Sequence, residues 1–147
     1  MSDDVAGALI DELGRLNERL TKAVAGLSVA DLDRALGQDL NSIAVIVTHA
    51  TGSEIGWLHL AAGRPLRRDR DAEFRVHGKT AEELAVTIDR ANATAPELVR
   101  AGVAAGLGTT RRARDRDVTV AYALHHAVIH LAEHVGHVEM TRQLIAR

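Results

Sequence analysis

Apolar positions recur at spacings of three and four along most of the chain. Val5, Leu9, Leu13, Leu16, Leu20 and Val24 form one such stripe. They predict a first long helix over roughly Asp4 to Leu27. Ser28-Val-Ala-Asp31 resembles a capping box and opens a short helix that ends near Leu36-Gly37. Asn41 or Ser42 caps a second long helix, which stops at Gly63-Arg64-Pro65. From Arg64 to Gly78 the residues are charged and show no period, so this stretch reads as a long connection. Thr80, with Glu83 three residues on, caps a third long helix that runs to about Ala105. Pro96 marks a kink or break in it. Gly106 to Asp117 reads as a Gly-, Thr- and Arg-rich loop, and Thr119 to about Ala146 as a fourth long helix. No Asn-Gly or Asp-Gly pair announces a hairpin. The expectation is an all-α, four-helix bundle with long connections, one domain over residues 1–147.

Composition narrows the function. With 147 residues, the chain buries enough surface to fold without a disulfide or structural metal. Zero Cys excludes a disulfide framework, a thiolate zinc site and a Cys nucleophile. A net charge of −2 argues against nucleic-acid binding and against a polybasic membrane surface. One Trp, one Tyr and one Phe leave little for base stacking. The start is acidic rather than basic, and the longest apolar run, Ile43 to Val47, is far short of the roughly 20 residues of a membrane span. A cytoplasmic location is expected.

Histidine is the unusual residue, with 8 copies. Five fall on the fourth helix. At about 100° per residue, His126, His130, His134 and His137 share an arc of roughly 80°, bordering the apolar face of Leu124, Ala127, Leu131, Val135 and Val138. His125 points away. His130 and His134, at i and i+4, have the spacing at which two imidazoles bind one metal. His49 is the inward candidate on the second helix; Ser53, Gly56 and Trp57 share its side and can line a cavity, while His59 projects elsewhere. Gly52 and Gly56 cost about 1 kcal/mol each inside a helix, so they should serve close packing or leave room for a ligand. Imidazoles crowded at a bundle core are costly without partners, and a divalent ion removes that cost. The alternative is a structural or pH-sensitive His face with no metal. Bound imidazoles must be neutral, so at ordinary pKa values occupancy falls below pH about 6.

His130-Leu-Ala-Glu133-His134 also matches the H-x-x-E-H peptidase signature, with Glu133 a candidate base. Such peptidases take a third ligand well downstream, and only thirteen residues follow His134. Glu133 reads equally as a solvated helix-face residue.

Together the motifs resemble the DinB superfamily of bacterial metal-binding bundles. The resemblance rests on Asn41-Ser42-Ile43, His49 with Glu54 and Trp57-Leu58, and His130-x3-His134-x2-His137 followed by Arg142. It implies a four-helix bundle, often a homodimer, holding a divalent metal on His49, His130 and His134. Zinc is the expected ion, with nickel or iron as alternatives. His137 and His126 are left as further ligands or supporting groups. Characterised members of the superfamily use mycothiol or bacillithiol, in S-transferases and in maleylpyruvate isomerases. The isomerases carry a further C-terminal domain, so the expected activity is thiol transfer to a small electrophile. The competing reading is a non-catalytic dimeric bundle whose metal is structural.

Overall fold

The computed structural model describes residues 2–146. Its elements are α1 (Ser2–Val24), α2 (Val29–Asp33), α3 (Ile43–Ala62), α4 (Arg70–Glu73), α5 (Ala81–Ala105), β1 (Thr110–Ala113), β2 (Arg116–Thr119) and α6 (Val120–Ile145). Helix dominates, as the 3.6-residue repeats require.

The four long helices pack as a ring in the order α1, α5, α3, α6: α3 and α1 each touch both α5 and α6, which meet each other only lightly. The α1 stripe is buried from Leu13 onward, through Leu16, Leu20 and Val24. Asn17 is buried beside it. Helix α3 is apolar almost all round, with Ile43 to Val47 all buried, because α2 and α4 cover the sides that α5 and α6 leave. Its N-cap is Ser42, whose hydroxyl accepts from Val45 N–H. Gly63 ends it in the left-handed region at φ 68°, where a Cβ would be strained. Beyond strain, a Cβ there would lie 2.9 Å from Nη2 of Arg111. Thr80 and Glu83 form the full capping box of α5.

Helix α5 runs to Ala105 as expected, with Pro96 inside it and no break there. Two features of the connections depart from the sequence reading. The connection after α3 holds a short helix, α4, capped by Asp69. The stretch read as a loop is an antiparallel hairpin pairing Thr110 with Thr119 and Ala113 with Arg116. Its two-residue turn is Arg114-Asp115, with Arg114 at φ 22°. Such turns favour Asn or Gly, so the usual signal was missing. Arg112 and Asp117 pair across the strands at 3.1 Å, and Val118 is buried beneath them. The hairpin rests on α3 and α6 and so overhangs the histidine face.

Among the described residues no helix is long and apolar enough to cross a membrane.

Candidate metal centre

Helices α3 and α6 turn their histidines toward each other. The His49 ring lies 5.2 Å from both the His130 and His134 rings, and those two lie 4.4 Å apart. One ligand atom from each falls within 4.8 Å of the others. His130 and His134 sit on consecutive turns of α6, so the helix sets their separation; α3 packing on α6 brings His49 to them.

Each ring is prepared differently. His49 Nδ1 lies 3.0 Å from Oε2 of Glu73. The carboxylate can only accept, so Nδ1 carries the hydrogen and the Nε2 lone pair is left free. Arg68 in turn grips Glu73 twice, at 2.6 and 2.8 Å. His134 Nδ1 meets His137 Nδ1 at 3.3 Å, one ring donating to the other. His130 Nδ1 is buried without a partner. A buried polar atom left unpaired costs roughly 1–3 kcal/mol.

Burial, reinforced by the His134 and His49 rings, pushes His130 down to about 4. Burial, with His49 and His137, pushes His134 down to about 4. Burial lowers His49 too, against the opposing pull of Glu73. All three rings are therefore neutral at pH 7, the form that ligates. Competition from protons starts lower than the pH of about 6 that ordinary imidazoles imply.

The donor set fits a divalent ion. Three neutral imidazole nitrogens converge, one is orphaned, and one is oriented by a carboxylate as metal-bound histidines commonly are. The three histidines could hold a metal ion.

The remaining expected residues fall around this centre. Ser53, Gly56 and Trp57 line a cleft of about 770 Å³ that includes His49 and His130. His126 lies outside the three-histidine group, stacked on Tyr122 at 5.5 Å and 4.5 Å from the Trp57 ring. His137 is exposed and reaches the centre only through His134. Glu133 and His125 stand exposed on α6, outside the group. His59, read as projecting elsewhere, is not one of the three but does line the cleft, and its Nδ1 is buried without a partner.

Glu54 and Arg142, which helped carry the family resemblance, do other work. Glu54 is buried against α1, where Asn17 Nδ2 donates to its Oε1 at 3.0 Å. Arg142 donates to the carbonyls of Ala23 and Ala25 at 2.7 and 2.8 Å, closing the C-terminal end of α1.

Sequence reasoning missed Glu73 and Arg68. Both sit in the stretch without periodicity, and the nearest signal was the glycine pair on α3. A Cβ at Gly52 would strike the Glu73 carboxylate, and one at Gly56 would lie 3.4 Å from Nη1 of Arg68. Those glycines make room for the carboxylate and guanidinium that support His49.

No curated protein matches the chain. Residues 8–147, which include every residue of the site, match the family described as mycothiol S-transferase. The chain therefore belongs to the mycothiol S-transferases, a family of the DinB-like superfamily.

Proposed function

We propose that this protein is a metal-dependent thiol S-transferase. His49, His130 and His134 hold one divalent ion, with zinc the expected metal and mycothiol the expected thiol. The single observation that carries the reading is the convergence of three imidazoles, two of which, His49 and His130, line an open cleft of about 770 Å³. When bound there, a divalent cation lowers the pKa of a coordinated thiol and favours the thiolate. The chain has no Cys, so the nucleophile must come from the small thiol.

The protein's own residues orient and shelter. Arg68 fixes Glu73, Glu73 fixes His49, and His137 fixes His134. Trp57 and Leu60 form apolar wall beside His130. The chemistry is a substitution or addition at carbon. The thiol's S–H is replaced by S–C, and the proton leaves with the displaced group or adds to the neighbouring carbon of an unsaturated acceptor.

A non-catalytic bundle with a structural metal would close the centre with a fourth protein ligand. Among the described residues the group stops at three, and neither His126 nor His137 joins it. This favours the open, catalytic reading. We also infer that residues 1–147 act as one four-helix-bundle domain and that the protein is a homodimer. Ile129, Met140 and Leu144, exposed on α6, offer an apolar stripe for the dimer to bury.

The test is protein purified without a nickel column. Metal content is measured by mass spectrometry, and thioether formation from mycothiol and iodoacetamide is followed on the same sample. Wild type should carry metal and accelerate the reaction. His49→Ala should carry none and do neither, while His125→Ala should match wild type. Full metal occupancy without acceleration of either iodoacetamide or its anionic counterpart iodoacetate would overturn the transferase reading.

A further inference from the structure

The cleft beside the three histidines is lined by six arginines. Arg64, Arg68 and Arg70 come from the segment between α3 and α5, and Arg112, Arg114 and Arg116 from the hairpin. Among the described residues the one carboxylate in the lining is Asp115. A chain with net charge −2 thus concentrates cations at one place.

Three of the six are spoken for. Arg64 pairs with Glu97 at 2.7 Å, Arg68 with Glu73 at 2.6 Å and Arg112 with Asp117 at 3.1 Å. Arg70, Arg114 and Arg116 have no carboxylate partner among the described residues.

Two of these three are propped on rings that lead back to the histidines. The Arg70 guanidinium lies 4.9 Å from the centre of the Phe74 ring, and Phe74 lies 4.7 Å from His49. The Arg116 guanidinium lies 5.0 Å from the centre of the Tyr122 ring and donates to its hydroxyl at 2.6 Å. Tyr122 stacks on His126, whose ring is 5.7 Å from His130. Each guanidinium keeps further N–H donors unused. Stacking on an aromatic face holds an arginine while leaving its edge free for a planar anion.

Uncompensated cations around a partly enclosed cleft attract an anionic ligand.

We propose that the electrophile is a small organic oxyanion, a carboxylate in the simplest case, drawn into this cleft by its arginines without a carboxylate partner, Arg70 and Arg116 among them. The inference rests on the transferase reading for the identity of the electrophile, but the anion site itself does not. In the reaction the anionic group is a handle and stays intact; the bond that forms is S–C, at a carbon elsewhere in the molecule.

Trp57, the sole tryptophan, lines the cleft and reports on it. The first arm titrates metal-free protein with succinate at low salt and follows Trp57 fluorescence. Saturable binding is expected. Arg70→Gln/Arg116→Gln should weaken it by about tenfold or more, the usual loss when charge-assisted hydrogen bonds are removed. Arg100→Gln, exposed on α5, should leave it unchanged. The second arm uses zinc-loaded protein and mycothiol with iodoacetate or iodoacetamide, two electrophiles of one size and different charge. Thioether is quantified by mass spectrometry, and each rate is taken relative to the uncatalysed one. Acceleration should be greater for iodoacetate, and the preference should vanish in the double variant. Equal acceleration of both reagents, with no succinate binding, overturns the anionic electrophile and leaves the transferase standing. Arginine-dependent succinate binding with no acceleration of either reagent keeps the anion site and overturns the transferase.

Discussion

Glu73 Oε2 lies 3.0 Å from Nδ1 of His49, and both side chains are buried. This contact joins the short helix α4 to the histidine cluster built by α3 and α6. It fixes the tautomer of His49 and leaves the Nε2 lone pair free. The carboxylate is itself held by Arg68, so Arg68 and Glu73 form a chain that supports one ring of the candidate centre.

Removing that support should weaken metal binding without abolishing it. Glu73→Gln keeps the shape and loses the charge. Affinity for zinc, measured by competition with a chelator, should fall by about 10–100-fold, the usual loss for an outer-shell partner. Asp71→Asn, exposed on the same short helix, should change nothing. Unchanged affinity in Glu73→Gln would reduce Glu73 to a packing residue.

The same substitution at two helical glycines should give opposite results. Gly136 on α6 meets nothing within 4 Å of an added Cβ. Gly136→Ala should therefore stabilise by about 1 kcal/mol. At Gly52 the new methyl must displace the Glu73 carboxylate. Gly52→Ala should lose that gain and bind zinc more weakly. Chemical denaturation of both metal-free variants, with zinc titration of each, separates the two effects.

Glu54 predicts a pH dependence of stability. Burial pushes its carboxyl up to about 7, with the Asn17 amide opposing. Its Oε2 is buried without a partner, a position that a neutral carboxyl tolerates better than a carboxylate. The folded pKa lies above the unfolded one, so between pH 4.5 and about 7 the folded state binds more protons. Stability conferred by neutral Glu54 is present at low pH and is lost as pH rises through about 7, by on the order of 3 kcal/mol. Glu54→Gln cannot ionise. Its stability relative to wild type, from urea midpoints, should be higher at pH 8 than at pH 5. A difference independent of pH would place the Glu54 carboxyl in its ordinary range.

Arg142 should prove structural. Its guanidinium closes the C-terminal carbonyls of α1, satisfying acceptors that the helix leaves open. Arg142→Ala should cost about 1.5–3 kcal/mol. Zinc content of the folded protein should stay at the wild-type level. Loss of metal from a still-helical Arg142→Ala protein would contradict this assignment.

The sequence by itself determined what local repetition can encode. The apolar stripe of α1, a cap at Asn41 or Ser42 (the structure uses Ser42), the Thr80–Glu83 box and the i, i+4 pair His130 and His134 are all relations within one helix. The 3.6-residue repeat and the backbone groups left open at helix ends decide such relations without help from the rest of the chain. The tertiary structure alone decided what crosses between segments. Glu73 and Arg68 reach His49 because the chain after α3 folds back over Gly52 and Gly56, and nothing periodic in residues 64–78 records that path. The hairpin carries its arginines over the cleft on a turn whose residues, Arg114 and Asp115, give no turn signal. His59 enters the cleft lining for the same reason: the hairpin and the 64–70 segment wall off a space on its side of α3. Glu54 meets Asn17 only because α3 and α1, opposite each other in the ring of helices, both bury these side chains inside it. Such contacts depend on which faces meet, and that choice is made by the burial of the whole core rather than by any short stretch of residues.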